Sequence, residues 1–175
     1  MLVCKRNTVP YLRFERERVA IEGDDIIKVN DYDEALNQLI DFKGNILLTI
    51  GIGKLDIFTK IPQYKERLFV RVLPKKKVIE KCENLGFNAK NIIAMKGPFS
   101  EDLNMEFIKY CGADILVMKE SGNSGGILEK VNAARKMDIP ILIIERAELN
   151  CENKADSINQ VISFVEDLSK NVINY

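Results

Sequence analysis

Residues 114–144 read DILVMKESGNSGGILEKVNAARKMDIPILII: an apolar run, a loop of lysine, serine and glycine, the start of a helix, and a second apolar run opening at a proline. Continuous apolar strands, rather than alternating ones, arise when helices cover both faces of a parallel sheet. DILVM and PILII therefore read as central strands, and NILLTI at 45–50 reads the same way. From Asp24 onward short β-branched runs alternate with helical patterns, the signature of stacked βαβ units. Strands are expected at 26–29, 46–50, 68–72, 91–95, 114–118 and 140–144. The fold class is α/β: a doubly wound, Rossmann-like parallel sheet in three α/β/α layers.

Helix boundaries support that rhythm. Asp31 with Glu34 three residues on makes a capping box, and Ala35, Leu36, Leu39 and Ile40 form a buried stripe. Ser100 is the expected N-cap after Pro98, and Gly86 and Gly112 stand where helices end. A last helix carries Ile158, Val161, Ile162, Val165 and Leu168 at helical spacing, a stripe expected to dock on the sheet. The opening VPYLRF, residues 9–14, reads as a strand with no strand–helix unit before it. The charged segment 16–25, with Gly23, is the candidate crossing connection. Two regions are thus expected: a remnant strand and connection at 1–23, and the Rossmann-like domain at 24–175.

Composition narrows the chemistry. The 175 residues are 46% apolar, enough for a sizeable core. Lys and Arg total 26 against 26 Asp and Glu, so no global field recruits nucleic acid or an anionic membrane. Any anionic ligand must be held by a local cluster. Cys4, Cys82, Cys111 and Cys151 form no CxxC pair, and neither a secretory n-region nor a spanning apolar stretch is present, which points to a reduced, cytoplasmic setting. The chain has no histidine, which removes imidazole acid–base catalysis, histidine-activated nucleophiles and zinc sites built on histidine, and no metal site is read. Chemistry must come from Lys, Asp, Glu, Tyr, Cys or a cofactor.

Ligands of open parallel sheets bind beyond the carboxyl ends of the strands, and four loops there are unusual. Lys119 to Gly126 place glycines, two serines and a lysine before a helix, the composition of an anion cradle and equally of a flexible turn. Gly51-Ile52-Gly53-Lys54 lacks the third glycine of a dinucleotide fingerprint, since Asp56 stands there, and is by itself a tight turn. Leu73-Pro74 follows the strand at 68–72, and Lys96-Gly97-Pro98-Phe99-Ser100 has a structural reading as a rigid turn feeding a capped helix. Arg71, among Phe69, Val70 and Val72, needs an anionic partner, most simply a structural ion pair. Lys75, Lys76 and Lys77 at a helix start read as a solvated face.

In order and spacing, VPYLRFERE, LLTIGIGKLDIF, VRVLP, IIAMKGPFSEDLN and LVMKESGNSGGILEKVNAARKMDIPILII resemble the signature blocks of precorrin-6A and cobalt-precorrin-6A reductases, from about Pro10 to Ile144. The resemblance implies hydride transfer from NADPH or NADH to a double bond of a precorrin-6A-type tetrapyrrole, in cobalamin synthesis. It places the cofactor on Gly51, Gly53, Lys119, Ser121, Gly122, Gly125 and Gly126, and the GPFS block (Gly97, Pro98, Phe99, Ser100) beside the macrocycle. Lys54, Arg71 and Lys96 are candidates for substrate carboxylates, because charge-assisted contacts are what a polycarboxylate needs; no catalytic residue is assigned. Family members usually begin with another Rossmann-like half, and neither its glycine-rich opening nor its Asp-Ala-Thr-His-Pro-Phe type block occurs here. Glu120 and the Asn123-Ser124 pair also depart from the usual loop.

Two other readings compete. One is a non-catalytic dinucleotide- or tetrapyrrole-binding module left after loss of the first half; the reductase reading itself expects weak or no turnover by this chain alone. The other, a receiver-like signalling domain, predicts an acidic cluster at the strand ends, and the sequence has none there. An orphaned strand at 10–14 would leave an unpaired edge, so a homodimer through it is expected.

Overall fold

In the computed structural model, which describes residues 2–15, 19–120, 126–146, 151 and 153–173, the chain divides into two compact units. Along the chain the elements are α1 (Leu2–Arg6), β1 (Arg13–Phe14), β2 (Ile26–Val29), α2 (Tyr32–Leu39), β3 (Asn45–Leu48), α3 (Tyr64–Arg67), β4 (Leu68–Val72), α4 (Lys76–Asn84), β5 (Ile92–Ala94), α5 (Glu101–Cys111), β6 (Ala113–Lys119), α6 (Ile127–Lys136), β7 (Ile141–Ile144), β8 (Lys154–Ala155) and α7 (Ile158–Ile173), with 3-10 turns at Leu55–Lys60 and Ala89–Asn91. Val19–Ala147 form the larger unit. Met1–Arg18 and Glu148–Tyr175 form the smaller one.

The six expected strands build one sheet in the order β2-β7-β6-β3-β4-β5, and every pairing is parallel. Alternate side chains of each strand enter two separate cores, as the period of two requires. Ile46 and Leu48 of β3 pack with Val70, Val117 and Leu142 against the α2 side, together with Phe58 and Cys82. Leu47, Leu116, Met118, Ile141 and Ile143 pack on the opposite face with Phe107 and Ile108 of α5 and Val131 and Ala134 of α6. The layers are therefore α/β/α, as the unbroken apolar runs predict. Each such side chain taken from water contributes about 1.5–3 kcal/mol, so truncating a central one such as Leu47 to alanine costs about 2–5 kcal/mol.

The caps behave as anticipated. Asp31 accepts from the Asp33 and Glu34 amides at 3.0 and 2.8 Å, while Glu34 reaches back to the Asn30 amide at 2.8 Å, one residue earlier than a strict capping box. Gly112 ends α5 at φ 52° and Gly86 follows α4 at φ 84°, both in the left-handed region where a glycine carries no steric penalty.

The terminal segments differ from expectation. The strand at 9–14 narrows to β1 and is not orphaned: it pairs parallel with β8, the Arg13 amide donating to Asn153 O at 3.0 Å and Glu15 to Ala155 O at 2.7 Å. This removes the premise of a homodimer through a free N-terminal strand. The tail from Glu148 groups with the N-terminal segment Met1–Arg18. Within the smaller unit Ile158, Ile162 and Val165 of α7 are exposed. Helical periodicity marks an apolar face but does not say which surface receives it.

Candidate functional site

The order of the strands reverses between β3 and β6: from β3 the chain proceeds to β4 and β5, then returns to β6 on the other side of β3 and continues to β7. A crevice opens beyond the carboxyl ends at such a point. Here it is a cleft of about 360 Å³, walled by Thr49 to Gly51 after β3, Arg71 to Leu73 at the end of β4, Met95 and Gly97 to Phe99 after β5, Lys119 at the end of β6, Asn104 of α5, and Gly126 and Lys130 at the start of α6. The Thr49 hydroxyl donates to Val117 O at 3.0 Å, and so ties the two strands together at the reversal.

Arg71 leaves β4 toward α5. Its guanidinium lies 4.5 Å from the Phe99 ring centre and 5.2 Å from that of Phe107, and its Nη1 donates to Asn104 Oδ1 at 2.7 Å. The partner is a neutral amide rather than the carboxylate expected for a structural ion pair. Asn104, itself buried, completes its bonding by donating to Ser100 O at 2.8 Å. Burial pulls the Arg71 pKa down to about 10, still far above neutral, so the charge is retained. Burial also pushes the Cys111 thiol on α5 up to about 12, against the pull of Arg71.

Lys130, one turn into α6, is only 7% exposed. Among the described residues no carboxylate or hydrogen-bond acceptor meets its ammonium. Burial, then the neighbouring Arg71 charge, hold its pKa down to about 8; Glu129 opposes the shift and Lys119 adds to it. The cleft thus gathers three cations, Arg71, Lys119 and Lys130, with no acidic side chain among the described residues of its wall. Beside them Leu73 and Met95, both nearly half exposed, form an apolar rim with Phe99.

Of the residues singled out from the sequence, the cleft brings together Gly51, Arg71, Gly97, Pro98, Phe99, Lys119 and Gly126. Gly51 sits at φ 77° with no atom within 4 Å of where a β-carbon would stand, and Gly126 opens α6 at φ 61° without any side-chain cap. Gly53, Lys54, Lys96 and Ser100 do not line it. Ser100 is occupied as the N-cap of α5, accepting from the Leu103 amide at 3.2 Å, and Lys54 precedes the 3-10 turn at Leu55–Lys60. Ser121, Gly122 and Gly125 fall outside the described residues.

Sequence reasoning missed Lys130 and Asn104, although a signal was present. Asn104, Phe107, Ile108 and Cys111 are the buried face of α5 at i, i+3, i+4 and i+7, and Ile127, Lys130, Val131 and Ala134 repeat that spacing on α6. A polar residue on a buried stripe marks a group that must find a partner.

The family model described as "Precorrin-6x reductase CbiJ/CobK" matches residues 1–166. Curated relatives include the cobalt-precorrin-6A reductase of Priestia megaterium, 35% identical over 88% of this chain and 61% of that protein, and that of Methanothermobacter thermautotrophicus, 34% identical over 95% of this chain and 57% of that protein. The chain therefore spans about three fifths of the length of these relatives. Among solved structures, a CobK precorrin-6A reductase superposes with a TM-score of 0.76 at 22% identity, covering 95% of this chain and 65% of that one, a likeness of fold.

Proposed function

The chain belongs to the precorrin-6x reductase CbiJ/CobK family, and from that premise we propose that its cleft serves the reduction of a precorrin-6A-type tetrapyrrole, with or without cobalt, by NADPH or NADH. The observation that carries this reading is a wall that holds three cations and, among the described residues, no acid, beside an apolar rim. A flat macrocycle fringed with carboxylates presents the complementary surface: apolar edge to Leu73, Met95 and Phe99, carboxylates to the cations.

The residues also suit a dinucleotide. The uncapped amides at the start of α6, with Lys119 at the end of β6, fit a pyrophosphate, and the open space over Gly51 admits close approach of a ligand. When bound, the dihydronicotinamide would supply the hydride; the chain's own part is to hold both ligands, exclude water and neutralise their charge. Lys54, Lys96 and Ser100, off the cleft wall, are not needed for this. The expected contribution of Ser121, Gly122 and Gly125 belongs to the same proposal. A reducing, cytoplasmic setting suits the four free cysteines, and no helix among the described residues is long and apolar enough to cross a membrane.

Titration with NADPH and NADH, followed by nicotinamide fluorescence, tests the reading, together with oxidation of the cofactor in the presence of precorrin-6A. Saturable binding that Lys119→Met weakens is expected. Absence of binding by either dinucleotide would sink the proposal, and binding without turnover would leave a non-catalytic module.

A further inference from the structure

Lys130 and Arg71 are features of the cleft wall that packing alone does not explain. A lysine on the buried stripe of a helix, nine-tenths hidden and in no ion pair among the described residues, is a cost to the empty protein that Glu129 only partly offsets. Arg71 shares the predicament: one of its donors is used by a neutral amide, and its plane is fixed between Phe99 and Phe107. Both line the same cleft, and the Arg71 charge lowers the Lys130 pKa further than burial alone, with Glu129 only partly opposing it.

We infer that Arg71 and Lys130 form a subsite for one oxyanion of the ligand in this cleft. A planar guanidinium held by rings and an amide offers its remaining donors in a fixed fork, the geometry that a carboxylate or phosphate accepts. Lys130 adds a point charge. The oxyanion supplies the counter-charge that the protein lacks, so the cost of burying two cations is recovered only when the cleft is filled. The inference rests on the reductase reading for the identity of the ligand, a tetrapyrrole carboxylate or a dinucleotide phosphate, but not for the existence of the subsite.

The test is calorimetric titration of the full chain at neutral pH and low salt with three probes: inorganic pyrophosphate, NADPH and an octacarboxylate porphyrin. Lys130→Met should weaken the probe that occupies the subsite by about tenfold or more, as expected for losing one member of a desolvated charge pair. Lys130→Arg, which keeps the charge, should stay within about threefold of the parent. Loss confined to the porphyrin assigns a carboxylate, and loss confined to NADPH and pyrophosphate assigns a phosphate. Pyrophosphate binding that depends on Lys130, with neither larger probe bound, would keep the subsite and discard the reductase reading. If Lys130→Met binds every probe as the parent does, or the parent binds none, the subsite is refuted. A melting temperature of Lys130→Met at or above that of the parent excludes misfolding as the cause.

Discussion

A buried lysine binds its proton less readily than the same group in the unfolded chain, and Lys130 is held down to about 8 by burial and by Arg71, with Glu129 opposing. Because the unfolded chain keeps that proton up to its ordinary value near 10.5, the native state binds fewer protons between about pH 8 and 10.5. Stability of the empty chain should therefore rise with pH across that window, and the penalty is fully present below it. Its size, from the shift alone, is about 3 kcal/mol. Lys130→Met should consequently raise the unfolding free energy at pH 7 by about 1–3 kcal/mol, with the gain shrinking towards pH 10. Urea denaturation at pH 7 and 9.5 checks this. Ligand binding should show the opposite dependence, since an oxyanion favours the charged lysine. Affinity should fall by up to about tenfold per pH unit above pH 8 in the parent and stay flat in Lys130→Arg. The charged groups that face Lys130 are Arg71 from β4, Lys119 from β6 and Glu129 on its own helix. Ser100 offers a contrast at the same scale: Ser100→Ala removes a cap and should cost about 1 kcal/mol in stability with anion affinity unchanged.

At the scale of elements, strands and caps were legible because they depend on local pattern. The run at 68–72 became β4 with the expected bounds, and Ser100, Asp31 and Gly112 took the terminal positions read from their chemistry. What a loop residue faces is set by neighbours distant in sequence, which is why Gly97 and Phe99 reach the cleft while Lys96, adjacent in the chain, does not. The same limit hid the α5 and α6 contributions, since Asn104 meets Arg71 only after two strands and a helix have closed on one another. The loop before α5 acts on the cleft through packing. A β-carbon at Gly97 would stand 3.0 Å from the Phe99 ring, so Gly97→Ala must tilt that ring, which lies 4.5 Å from the Arg71 guanidinium. A cation–π contact of about 0.5–1 kcal/mol corresponds to a two- to fivefold loss of anion affinity. Calorimetry with pyrophosphate reads that loss directly.

At the scale of the molecule, core and cleft belong to the same unit. Every residue of the cleft wall and both apolar cores, Ala155 excepted from the buried set, fall within Val19–Ala147. The smaller unit is stitched from the two ends of the chain, and Ala155 is its one buried residue among those described. Its sheet is two residues paired with two, shorter than a strand pair that is stable by itself, and α7 leaves Ile158, Ile162 and Val165 in solvent. Local opening is drawn from regions with few buried apolar contacts. Native-state hydrogen exchange should therefore separate the two. The Arg13 and Glu15 amides, bonded to Asn153 and Ala155, should exchange through a small opening with little denaturant dependence. The Leu116 amide, bonded to Pro140 O inside the sheet, should exchange only at the free energy of global unfolding. Pyrophosphate should raise protection at Leu116 and leave Arg13 unchanged, because an opening confined to the smaller unit releases no residue of the cleft. Exchange of Arg13 and Leu116 at one common free energy would show instead that the ends of the chain fold and unfold as one body with the sheet.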